Sequence, residues 1–166
     1  STTYSDSIMI YSKDDSIKAF SALVASVSGL TNDLFIAGIP HKGAIALGKM
    51  TLDTEKSIFF GQPLIDAYLL QEELHFYGII IHGSVEETLI KNRINFVRKY
   101  DCPLKNGKSF HHTIYPMHID AESAKKYSKY HQEIMKSLIS MKFKTSGQLR
   151  RYIDNTQNYF DHIAKE

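Results

Sequence analysis

Few side chains in this sequence are spaced for chemistry. His111, His112 and His118 gather around Thr113-Ile114-Tyr115-Pro116-Met117. On a strand His112 and His118 would share a face, and imidazoles so placed can ligate a transition metal. Structural zinc sites use tighter pairs, often with cysteine, so these histidines read first as ordinary strand residues. The single cysteine, Cys102, stands beside Pro103 with no evident base and reads as an inert thiol. Lys142, Lys144, Arg150 and Arg151 flank Thr145-Ser146, a candidate helix cap. A helix N-terminus with nearby cations can hold phosphate, solvated lysines around a capped helix being the plainer reading. Asp66 reads as an exposed helix charge. Asp6, between Ser5 and Ser7, occupies a place where aspartate favours a hairpin turn by bonding nearby backbone amides.

The frame for these residues is one globular domain. The chain has 166 residues, 43% of them apolar and 23% charged, which excludes a disordered chain or a collagen-like fibre. No unbroken run reaches about 18 apolar residues, the shortest membrane-spanning length, so no membrane partner is expected. The first residues, Ser1 to Asp6, show neither a basic nor an apolar signal region. With one cysteine there is no internal disulfide, and a reducing, cytoplasmic setting is the expectation. Net charge is +2 but uneven: residues 1–90 carry five Lys/Arg against eleven Asp/Glu, and residues 91–151 carry fourteen against four. Such asymmetry can mark a polyanion-binding surface, although the basic residues are spread over several segments. The aromatic-basic signature of common RNA modules is lacking, so nucleic acid is not an expected partner.

The spacing predicts a β-hairpin from Thr3-Tyr4 and Ile8-Met9-Ile10-Tyr11, with Asp6 at its tip. A helix follows from Ser16, with Ile17, Phe20, Leu23, Val24 and Val27 in helical period, Asp14 or Asp15 near its start and Gly29 near its stop. Gly43 to Leu47 suits a buried strand, and Ile58-Phe59-Phe60 a second one after a polar turn at Asp53 to Lys56. Pro63 opens a helix whose apolar stripe is Leu64, Ala67, Tyr68 and Leu74. Gly78 to Ile81 is a buried strand. A helix over about 86–99, a loop over about 101–109 and helices over about 121–139 and 146–163 complete the chain. The last is the clearest, with Leu149, Tyr152, Ile153, Thr156, Phe160 and Ile163 along one side. This order suits an α+β, ferredoxin-like sheet flanked by helices.

Five blocks resemble a known family. Ser5-Asp6-Ser7-Ile8 resembles the turn-and-strand signature of the class III nucleotidyl cyclase catalytic domain. Gly38-Ile39-Pro40-His41-Lys42-Gly43-Ala44-Ile45-Ala46-Leu47-Gly48 and Phe60-Gly61-Gln62-Pro63-Leu64-Ile65-Asp66-Ala67-Tyr68 resemble blocks of bacterial single-domain cyclases, the Pycsar antiphage pyrimidine cyclases among them. Pro103 to Gly107 and Tyr152 to Thr156 resemble that group's C-terminal part. The resemblance implies a cyclase-like domain over residues 1–120, with C-terminal helices over 121–166 packed on it. It implies a head-to-tail homodimer with active sites at the interface, and two divalent ions, Mg²⁺ or Mn²⁺, with Asp6 as a metal ligand. Lys42 stands where the pyrimidine-cyclase relatives carry an arginine, which implies a catalytic or substrate contact to phosphate or base. Lysine keeps that charge but loses the two-pronged geometry.

Other positions depart from the family. Thr2 and Ile58 fall at the substrate-binding positions that contact a purine, and Ile65 and Leu69 where many purine cyclases carry a transition-state Asn and Arg. Ile and Leu cannot hydrogen-bond phosphate or a base edge, which disfavours an adenylyl or guanylyl cyclase. The family's other metal-binding Asp lies on a strand ahead of the hairpin, so the enzymatic reading expects residues upstream of Ser1. The expected function is cyclisation of UTP or CTP to cyclic UMP or cyclic CMP as an antiphage second messenger. A degenerate cyclase-like sensor or dimerisation module is the alternative, and a basic nucleic-acid-binding module a further one.

Overall fold

The computed structural model describes residues 2–4, 7–92, 97–115 and 124–164. Strands β1 (Thr2–Tyr4) and β2 (Ser7–Met9) pair antiparallel as the expected hairpin, Thr2 opposite Met9 and Tyr4 opposite Ser7. The tip residue Asp6 lies outside the described residues.

Helix α1 (Ile17–Ile36) is capped by Ser16, whose Oγ accepts from the Ala19 amide at 3.2 Å. Asp14 supports the cap from one step back, its Oδ1 accepting from the Ser16 amide at 3.0 Å. The helix does not stop at Gly29. A helical glycine costs about 1 kcal/mol against alanine, and the burial of Thr31 and Phe35 beyond it outweighs that cost. α1 is long and apolar enough to cross a membrane, yet Phe20, Val24, Val27 and Phe35 are buried within the protein, as on a core helix.

The chain continues through β3 (Lys42–Ile45), the hairpin β4 (Met50–Asp53) and β5 (Ile58–Gly61), α2 (Gln62–Glu73), β6 (Gly78–Ile81) and α3 (Gly83–Asn92). β7 (Val97–Leu104) and β8 (Gly107–Ile114) precede α4 (Ala124–Phe143) and α5 (Gly147–Ile163). Residues 97–99 are therefore strand where the sequence suggests helix, and 101–109 form a hairpin rather than a loop. The turn residues Lys105 and Asn106 are closed by the Leu104–Gly107 pair, and Pro103 is tolerated because β7 is an edge strand.

The result is an α+β fold around a mixed sheet of order β3-β6-β8-β7, in which β3 and β6 run parallel and the other pairs antiparallel. Strand alternation divides its side chains between two layers. Ala44 and Ile80 join a core cluster with Ile134, Leu138, Ile153, Tyr159 and Phe160 of α4 and α5. Ile45, Ile79 and Ile81 join another with Phe20, Val24, Val85 and Leu89 of α1 and α3. β6, covered on both faces, is accordingly apolar throughout.

Gly61 joins β5 to α2 with no spacer. Its φ is 155°, and a Cβ there would lie 2.5 Å from the Lys49 carbonyl oxygen, so the hairpin backbone closes over it as only glycine permits.

Candidate functional site

Lys42 begins β3, opposite Gly78, and its half-buried side chain turns toward the end of α2. Its Nζ lies 3.5 Å from Glu72 Oε1 and 6.0 Å from the centre of the Tyr152 ring. Glu72, on the last turn of α2, reaches Lys105 Nζ with its other oxygen at 3.8 Å. The Glu72 carboxyl is held below the usual range by a hydrogen bond from Gln71 and then by the Lys42 charge.

The segment that follows α2 is fastened on both sides. His75 donates its amide to the Pro103 carbonyl at 2.9 Å, and Lys105 donates its amide to the Glu73 carbonyl at 2.8 Å. Asn155 Nδ2 donates to the His75 carbonyl at 2.7 Å, and the Tyr77 amide donates to Thr156 Oγ1 at 2.8 Å. These bonds bring Tyr77 and Tyr152 into a stack with ring centres 5.5 Å apart and set His75 5.1 Å from Tyr152. Burial depresses the His75 pKa, and Arg151, Lys105 and Lys42 push it the same way, with only Glu73 opposing. The local potential is positive despite two nearby carboxylates.

α2 presents a different face outward. It buries only Pro63, while Ile65, Tyr68 and Leu69 are 52%, 61% and 58% exposed. These residues and Glu72 fall at helical spacing along one stripe, so the apolar strip ends at the charged cluster. Ile58 and Phe60 share a face of the adjoining hairpin and are exposed as well. Tyr68, expected in the core, is thus on the surface, because its place in the stripe turns it away from β3.

The other candidates are scattered. Thr2 lies on β1 and Ile58 at the start of β5, 46% exposed, in two small sheets separate from the one that holds Lys42. Asp66 accepts from Gln62 Nε2 one helical turn back. His112 contacts Glu86 through Nδ1 at 3.3 Å, His111 is its strand neighbour on the opposite face, and His118 lies outside the described residues. Cys102 is fully buried and its thiol is pushed up to about 12 by that burial, so it is inert as expected. Ser146 stands at the N-cap of α5 without a side-chain cap bond, and Lys142 is taken up by Asp154. Among the described residues no three His, Cys, Asp or Glu side chains form a metal-holding group.

The sequence singled out Lys42 but not Glu72, Lys105, His75 or Tyr77. The Lys105-Asn106-Gly107 turn was the available signal, because a hairpin there returns Lys105 toward α2. Comparison with protein-family models, curated proteins and solved structures finds no match for the chain.

Proposed function

We propose that this chain is the catalytic domain of a class III nucleotidyl cyclase of the pyrimidine type, making cyclic UMP or cyclic CMP as an antiphage second messenger in the cytoplasm. The observation that carries this reading is Lys42, seated in the Lys42-Gly43-Ala44-Ile45 strand at the end of an outward apolar stripe on α2. A homodimer formed through that stripe and the β4–β5 hairpin sets Lys42 at the edge of a cleft between subunits. Also favouring it is the order hairpin, helix, strand, hairpin, helix, strand, along which the first three of the five sequence blocks fall.

In the reaction the ribose 3′-hydroxyl gives its proton to solvent water and its oxygen attacks the α-phosphorus in line. The bond from that phosphorus to the bridging oxygen breaks, and pyrophosphate leaves. Lys42 neutralises phosphate charge as the new bond forms. Thr2 and Ile58 flank the base, and Asp6 is the proposed carboxylate for Mg²⁺ or Mn²⁺. Two such ions, when bound, activate the 3′-oxygen and offset the charge of the leaving group.

The test is incubation of the protein from its complete gene with each nucleoside triphosphate and Mn²⁺, followed by mass spectrometry of the products. Cyclic UMP or cyclic CMP is expected, and Lys42→Ala lowers the rate by about 100-fold, the scale for losing one charge-stabilising contact. No cyclic product from any triphosphate ends the enzymatic reading. It would leave the second one, a degenerate cyclase-like sensor or dimerisation module, which Ile65 and Leu69 favour because neither can stabilise phosphate charge.

A further inference from the structure

We infer that Lys42, Lys105 and Arg151 form a phosphate-binding site that Glu72 keeps shut until an anionic ligand displaces its carboxylate. The inference deepens the proposed function, since it rests on Lys42 meeting the phosphate end of a nucleotide. Three features of the cluster carry it.

The Glu72 carboxylate divides its oxygens between two ammonium groups at 3.5 and 3.8 Å. A tight charge-assisted hydrogen bond is about 2.7–2.9 Å, so neither ammonium grips this carboxylate closely, and its short partner is the neutral Gln71 Nε2 at 2.9 Å. It is also part-exposed, where ion pairs contribute little and solvent competes for both partners. A phosphate group, with more charge and three oxygens at tetrahedral spacing, satisfies both lysines better than one carboxylate does.

The cations are also carried on a fixed frame. Lys42 opens a sheet strand, Lys105 sits in the hairpin turn whose amide is bonded to Glu73, and Arg151 lies on α5 beside Tyr152. Arg151 is exposed and makes no ion pair among the described residues, leaving its five donors for a ligand. Binding therefore orders side chains alone and not the backbone that carries them, which limits the entropy lost.

Finally, the charge balance favours an incoming anion. Lys42 and Lys105 flank Glu72, and both of them and Arg151 act on His75 in the direction that keeps its ring neutral. Swinging Glu72 aside exposes two lysines at once.

The probe is inorganic tripolyphosphate, with UTP in a parallel arm, followed by calorimetry at low and moderate salt. Circular dichroism confirms that each variant is folded. Glu72→Gln is expected to bind tripolyphosphate about tenfold more tightly and Lys105→Ala about tenfold more weakly, the scale of one charge-assisted hydrogen bond. Arg151→Ala weakens it similarly, and Lys91→Ala, on the distant helix α3, leaves it unchanged. Tripolyphosphate displaces UTP if the site reads phosphate; failure to displace it overturns the inference. So does wild-type affinity in Glu72→Gln and Lys105→Ala, or an equal loss in Lys91→Ala, which would indicate attraction by net charge alone. Cyclic product from a protein whose variants bind like wild type sinks this site and spares the cyclase. Variant-sensitive phosphate binding in a protein that makes no cyclic product does the reverse.

Discussion

Helices α5 and α2 carry apolar stripes of similar kind and treat them in opposite ways. α5 buries Ile153, Thr156, Tyr159, Phe160 and Ile163 against the sheet and α4. Tyr159 is enclosed completely, its hydroxyl donating to Thr113 Oγ1 at 3.0 Å, and Phe160 meets Phe35 edge to face at 5.2 Å. α2 holds Ile65, Tyr68 and Leu69 in solvent and buries only its first-turn proline. One stripe is satisfied within the chain, and the other has no partner among the described residues. An apolar stripe left in water adds nothing to stability, so its value lies in what the surface meets.

The largest effect should come from breaking the satisfied side. Phe160→Ala is expected to cost about 3–5 kcal/mol in urea unfolding, from lost burial and the cavity left behind. Leu69→Lys should leave unfolding within about 0.5 kcal/mol of wild type. The same substitution is expected to weaken self-association by about 2 kcal/mol, roughly 30-fold, by sedimentation equilibrium. Equal destabilisation by both substitutions would abolish the contrast.

A finer probe is Thr113→Val. It removes the acceptor of the Tyr159 hydroxyl and leaves the Ile114 carbonyl at 3.4 Å as the remaining contact. A loss of about 1–2 kcal/mol is expected, since a buried donor is left poorly paired.

The smallest effect is a dependence on pH. His41, packed 4.5 Å from Phe35 with its Nδ1 bonded to the Ile39 carbonyl, has its pKa lowered by burial. His75 is lowered as well, by burial and then by its cationic neighbours. The unfolded chain therefore takes up protons near the ordinary value of 6.5 while the folded protein resists them. Stability is full above that pH and falls as the solution is acidified through and below it. Melting temperature should decline between about pH 7.5 and 5.5, and His41→Gln should flatten part of that slope.

The same two helices show what was legible in the sequence. The period of α5 announced itself because its partners are a continuous wall, so Ile153, Phe160 and Ile163 could be placed in the core without knowing the sheet. For α2 the period is fainter, and periodicity identifies a stripe and not the side on which a partner lies, so Tyr68 reads as inward. Gly29 read as a stop because the compensating burial of Thr31 and Phe35 depends on tertiary packing. Pro103 and Gly107 read as a loop because edge-strand tolerance of proline requires knowing where the edge is. In the candidate site Lys42 could be found from its neighbours in sequence. Glu72 and His75 could not, nor could their meeting with Lys105 and Tyr152, because bonds between residues far apart in the chain assemble them.

The junction at Gly61 has a mechanical consequence. With no slack between strand and helix, the β4–β5 hairpin and α2 form a single lever. At 1.5 Å per residue its far end, Glu72, lies about 16 Å along the axis from the fulcrum. On the proposed reading, a second subunit that grips the hairpin therefore also bears on the helix that carries the carboxylate between the two lysines.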